Sequence, residues 1–167
     1  MTVNSSQDLG KKGGKIRFSI DDHRFREPYF GVTTFEFGED PNGAIMVVQV
    51  VPPDAEFAPH YHDTDYCTVV MKGSLKVGSR WYETGDCRVQ DARSVYGPVW
   101  SGPEGCTLIS FYGDRTALMD QFAKEEHKRR FDELIPIAAE KCIAAGIGVG
   151  AVPPTPADED ESGPPSP

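Results

Sequence analysis

A chain of 167 residues has the size of one hydrophobic core, and two cores of half that length would each be marginal. With 38% hydrophobic and 26% charged residues it is neither collagen-like, wholly disordered nor a disulfide scaffold. Lys and Arg number 17 against 26 Asp and Glu, and the resulting net charge of -9 argues against a nucleic-acid backbone or an anionic membrane surface as partner.

Residues 1–15 mix Ser, Gly, Lys and Asn without apolar periodicity and are expected to form a flexible N-terminal arm. They hold no apolar targeting segment, and no run approaches the length of a membrane span, so a cytoplasmic protein is expected. From residue 16 to 113 short β-rich runs alternate with turn chemistry. Residues 30–37 and 44–51 flank Glu39-Asp40-Pro41-Asn42-Gly43, a hairpin signal. Further runs at 66–71, 75–77, 80–83, 87–90 and 107–112 are separated by Lys72-Gly73, Gly78-Ser79, Thr84-Gly85-Asp86 and Gly102-Pro103-Glu104-Gly105. Many short, evenly spaced strands predict a mainly β domain, a sandwich or a barrel.

Over residues 114–146 the period becomes helical. Asp114 is placed to cap a helix with apolar Leu118, Met119, Phe122, Phe131, Leu134 and Ile135, and Pro136 is expected to end or kink it. A second helical segment is then expected from Pro136 to Ala145, with Gly146 placed to terminate it. Residues 147–167 are Pro-rich and acidic and are expected to be a solvated, disordered tail. The four cysteines, Cys67, Cys87, Cys106 and Cys142, form no C-x-x-C pair and read as reduced, small apolar residues.

The sharpest chemical signal is His60-Tyr61-His62. In an extended strand residues i and i+2 share a face, so both imidazoles come within reach of one ion. The competing reading is a pair of ordinary surface histidines. Asp63 and Asp65 follow in a turn and read as solvated carboxylates rather than ligands, and His23 reads as a surface residue.

The segment HYHDTDYCTVVMKG resembles the first motif of the cupin superfamily, G-x5-H-x-H-x3-4-E-x6-G, with His60 and His62 at the histidines and Gly73 at the closing glycine. Asp54 stands at the opening glycine and Tyr66 at the glutamate. The second motif, G-x5-P-x-G-x2-H-x3-N, survives as Gly85-Asp86 in GDCRVQDARSVYGPVW. There Asp91 replaces the proline, Arg93 the glycine, Tyr96 the histidine and Trp100 the asparagine. The resemblance implies a single cupin-type jelly-roll β-barrel followed by C-terminal helices, with His60, His62, Tyr66 and Tyr96 converging inside its mouth.

The family's usual site holds iron, manganese, nickel, copper or zinc on three histidines and a glutamate. This sequence offers two histidines and two tyrosines for a divalent transition metal of unspecified identity. Phenols titrate near 10 and ligate only when an ion lowers that value, so Tyr66 and Tyr96 are candidates both as ligands and as proton-transfer or hydrogen-bonding groups. Apolar and aromatic residues, Phe35, Met46, Val48, Met71, Trp100, Ile109 and Phe111, are expected to line the barrel, with Gln90 and Arg93 as polar exceptions. Gln90, Met71, Trp100 and Phe111 are the candidate substrate contacts.

The expected function is that of a metal-dependent small-molecule enzyme, of lyase, isomerase, cyclase or dioxygenase type, acting on an oxygenated ligand. Its rival is a barrel that has lost the metal and binds a ligand or a partner without catalysis. Cupins often pair through sheet edges, so the resemblance also implies a homodimer.

Overall fold

The computed structural model describes residues 31–147. The expected N-terminal arm, the start of the barrel near residue 16, His23 and the acidic tail from residue 148 onward lie outside the described residues.

The described chain is mainly β, with seven antiparallel strands and one C-terminal α-helix. Strand β1 (Val32–Glu36) and β2 (Ile45–Val51) form the expected hairpin. Its turn is closed by Asp40, whose carboxylate accepts from the Asn42 amide at 2.9 Å and whose carbonyl accepts from the Gly43 amide at 2.9 Å. A two-residue strand β3 (Glu56–Phe57) follows, then β4 (Tyr66–Val77), β5 (Arg80–Glu83), β6 (Cys87–Gln90) and β7 (Val99–Tyr112).

The two long strands build the architecture. β4 and β7 pair along their length, and each takes two different partners on its outer edge. β4 carries β6 beside Tyr66–Val69 and β5 beside Ser74–Val77, while β7 carries β2 beside Cys106–Tyr112 and β3 beside Val99–Trp100. Irregularities at Val70/Lys72 and Gly73/Leu75 bend this ribbon so that its two ends face each other as a jelly roll. Gly73 makes the bend sterically possible. Its φ is +75°, and a Cβ there would lie 2.1 Å from the Gly105 carbonyl oxygen. Val51, Ala55, Val70, Leu75, Val99, Cys106 and Leu108 fill the space between the folded halves. Each large aliphatic side chain buried in this way stabilises the fold by about 1.5–3 kcal/mol.

Three sequence expectations are corrected. Lys72-Gly73 and Gly102–Gly105 do not separate strands, because β4 and β7 continue through them. The ladder passes from Ser101 opposite Leu75 to Cys106 opposite Gly73, so residues 102–105 form an unpaired excursion in which Pro103 sacrifices no ladder bond. The helical region is also simpler than two helices. Asp114 caps only a 3-10 turn, Arg115–Ala117, through the Thr116 amide at 2.8 Å. Residues 118–124 are not helical, and α1 then runs unbroken over Glu125–Ala144 with Pro136 inside it. Leu134 and Cys142, buried on either side of Pro136, dock both halves of the helix. As expected, Gly146 ends it at φ +68°, with the Ile147 amide returning to the Cys142 carbonyl at 2.9 Å.

The third correction concerns the lining. Phe35, Met46, Val48 and Ile109 do cluster, but apart from the core that Tyr96 packs against. Along β2, β4 and β7 the register places Met46, Val48, Cys67, Val69, Ile109 and Phe111 on one face. Tyr66, Thr68, Val70, Leu108, Ser110 and Tyr112 occupy the other. Phe35, Met46, Val48, Ile109 and Phe111 of the expected lining therefore share a face, and it is the face turned away from Tyr66.

Candidate metal centre

Residues 60–62 run as a short extended segment along the mouth of the barrel. His60 exchanges backbone hydrogen bonds with Tyr96 at 3.0 and 3.1 Å, and the His62 carbonyl accepts from the Arg93 amide at 2.8 Å. The intervening Tyr61 faces the other way and exchanges two 2.9 Å bonds with Gln121. This alternation puts the two imidazoles on one side, with ring centroids 5.4 Å apart, and both are buried.

The Tyr61–Gln121 pair also fixes the residue before Gln121. Asp120 Oδ1 lies 3.8 Å from His60 Nε2 and 3.7 Å from His62 Nε2. One ligand atom from each of the three residues falls within 4.8 Å of the others. Sequence reading missed Asp120, since it sits in a stretch that reads as helix and bears no spacing relation to the histidines. Asp63 and Asp65, the carboxylates weighed from sequence, are engaged elsewhere. Asp63 pairs with Arg93 at 3.0 Å, and Asp65 accepts from the Ala92 amide at 2.7 Å.

These three side chains fit a transition metal. His60 Nδ1 is 2.7 Å from the Ala58 carbonyl, which requires the proton on Nδ1 and leaves the Nε2 lone pair directed at the site. His62 Nδ1 is buried without a hydrogen-bond partner among the described residues. Burial favours the neutral imidazole of His62, an effect partly offset by the Asp120 carboxylate and reinforced by His60. Two imidazoles and a carboxylate form a nitrogen and oxygen donor set suited to first-row metals, and a contraction of the present separations would bring all three to one ion.

The tyrosines converge as the resemblance implies. Tyr96 OH donates to His60 Nε2 at 2.6 Å. The Tyr66 ring packs edge-on to His62 at 5.1 Å and stacks on Tyr112 at 4.7 Å, and its hydroxyl accepts from Arg88 Nη1 at 3.1 Å. Burial pushes both hydroxyls up from the ordinary phenol value, Tyr96 well above it, although Arg88 pulls Tyr66 back in part. Both are therefore neutral donors at neutral pH.

Of the four candidate substrate contacts, only Gln90 is at the site, opposite Tyr66 in the β4–β6 ladder. Met71 and Phe111 are 36% and 43% exposed on the far face of the sheet. Trp100 lies beneath Lys76, whose Nζ is 5.2 Å from the indole, in a groove shared with Leu134 and Ile137 of α1. Strand parity separates these residues from the histidines. The same parity would have added Arg88, which lies two residues before Gln90 and on its face of β6.

Both positions that lack a motif glycine keep the backbone such a glycine would adopt. Asp54 has φ +53° and Arg93 φ +61°, in the left-handed region.

The sequence matches no protein-family model and no curated protein. Among solved structures it is similar to an uncharacterized Klebsiella pneumoniae protein with a double-stranded β-helix domain (20% identity, TM-score 0.49, covering 65% of this chain and 99% of that one). A cupin-like protein from Thermotoga maritima is similar at 18% identity and TM-score 0.46, covering 60% and 82% of the two chains. An RmlC-like cupin from Shewanella frigidimarina is similar at 18% identity and TM-score 0.43, covering 59% and 91%. The bent β4–β7 ribbon, with the histidine pair at its mouth, is a jelly roll.

Proposed function

We propose that this protein is a cupin-type metalloenzyme that holds one divalent transition metal on His60, His62 and Asp120 and acts on a small oxygenated molecule. The observation that carries this reading is the approach of one carboxylate oxygen to two buried imidazole nitrogens, 3.7 and 3.8 Å away, on separate chain segments. Three protein ligands leave positions open, where a bound ion would polarise a substrate oxygen as a Lewis acid. The set is also that of non-haem ferrous oxygenases, so iron and oxygen uptake come first in a screen that includes manganese, nickel, copper and zinc. The chain's own part is to hold the ligand atoms in place through Ala58, Arg93 and Gln121, and to present neutral Tyr66 and Tyr96 hydroxyls. Those hydroxyls orient an oxygenated substrate and exchange a proton with it.

Metal analysis of untagged protein tests the reading. Near-stoichiometric metal is expected, falling at least tenfold in affinity in Asp120→Ala and disappearing in His60→Ala/His62→Ala. No metal after reconstitution would overturn it. That outcome would favour a ligand-binding barrel, a reading supported by the Tyr96 hydroxyl, which already satisfies His60 Nε2.

A further inference from the structure

We infer that Arg88 is the anion-binding group of this site and that its ligand is a small organic acid, with its carboxylate on the guanidinium and a neighbouring hydroxyl or carbonyl oxygen facing His60, His62 and Asp120. The second contact rests on the metal reading above; the first does not.

Arg88 rises from the inner face of β6, opposite Thr68 of β4. Its Cζ stands 4.0 Å above the centre of the Tyr96 ring and 5.8 Å from that of Tyr66. Nη1 donates to the Tyr66 hydroxyl at 3.1 Å, and Nη2 donates to Gln90 Oε1. Tyr96 in turn touches His60, so a single phenol ring lies between the guanidinium and the proposed ligand set.

No carboxylate pairs with Arg88 among the described residues. The contrast with Arg115 is direct. That arginine is also partly buried, and it has Glu36 at 2.8 Å. A half-buried guanidinium without a counter-charge is costly unless a ligand supplies one, and two neutral acceptors use only two of its five N–H donors. Its planar fork matches a carboxylate in two-point contact.

Charge points the same way. Asp120 offsets only half of a divalent ion's charge, and the Arg88 guanidinium adds a further positive charge beside it in a chain that is acidic overall. A lone guanidinium suits the single charge of a carboxylate better than the higher charge of a phosphate.

Lactate and its uncharged analogue lactamide, titrated calorimetrically into cobalt-loaded and cobalt-free protein, test the inference. In the wild-type protein lactate should bind at least tenfold more tightly than lactamide, and also more tightly than inorganic phosphate. Arg88→Met should lose at least tenfold in lactate affinity while lactamide affinity stays within twofold, and Arg88→Lys should fall between. A merely structural role for Arg88 would weaken both ligands together and leave their ratio unchanged. Equal binding of lactate and lactamide, tighter binding of phosphate, or unchanged lactate affinity in Arg88→Met overturns the inference. If circular dichroism shows Arg88→Met unfolded, the wild-type ratio and Arg88→Lys decide. Failure of cobalt to produce a visible spectrum sinks the metal reading alone. In that case Arg88-dependent lactate binding in the cobalt-free arm sustains the anion site, and its absence overturns it.

Discussion

The Tyr96 hydroxyl donates into the same His60 Nε2 lone pair that a metal would need. Binding an ion through His60 must break or redirect that bond, whose net worth is about 0.5–1.5 kcal/mol. Tyr96→Phe is therefore expected to raise metal affinity by about two- to tenfold, measured by competition with a chromophoric chelator. A tenfold fall would instead make Tyr96 a ligand. At this scale the sequence was informative about pairs fixed by local geometry. His60 and His62 share a face because they are two apart on an extended segment, and Tyr96 meets His60 because the motif spacing is kept. Asp120 and Arg88 were not legible in the same way. The first depends on a tertiary pairing of Gln121 with Tyr61, and the second on which face of β6 turns inward.

Among the elements, the bend in the β4–β7 ribbon carries the most structural demand. Gly73 meets the Gly105 carbonyl at a distance no Cβ tolerates, whereas Gly78, at φ +58° in the β4–β5 turn, has open space around it. Gly73→Ala should destabilise the protein by more than about 2 kcal/mol, from backbone strain and clash together. Gly78→Ala should cost about 1 kcal/mol from its left-handed backbone alone. Urea unfolding of both variants checks the order, and equal losses would show that the bend does not depend on this close approach. Turn chemistry located β5 and β6 to the residue, because Gly78-Ser79 and Thr84-Gly85-Asp86 really do turn the chain. It failed at Lys72-Gly73 and Gly102–Gly105, where glycine serves a bend within a continuing strand. Pro136 misled for a related reason: a helix docked on both sides of a proline by Leu134 and Cys142 survives the loss of one hydrogen bond.

For the whole molecule, the buried histidine makes stability depend on acidity. Because burial lowers the His62 value below 6.5, the unfolded chain takes up a proton more readily than the folded one. The contribution of His62 to stability is complete above pH about 6.5. It declines as pH falls through that value and levels off below the folded-state value. With chelator present, the melting temperature should drop between about pH 7.5 and 5.5, and it should drop less in His62→Gln. Identical pH dependence in the two proteins would show that His62 titrates freely in the fold. The mainly β class and the barrel topology were readable at this scale from strand spacing and the histidine motif. The inward and outward faces were not, because a strand with apolar residues on both sides carries no parity signal.

The position of Asp120 has a consequence for how the molecule holds together. This carboxylate belongs to the connection that leaves the barrel for α1, and not to a barrel strand, so an ion shared with His60 and His62 would act as a clasp between regions far apart in sequence. Because its site exists only in the folded chain, the ion would stabilise the fold by its own binding free energy and would make the melting temperature depend on metal concentration. The ion would add to ties the strap already has, the Tyr61–Gln121 backbone pair and the buried Leu134 and Cys142 of α1, so its withdrawal would loosen the Asp120 side chain before it loosened the helix.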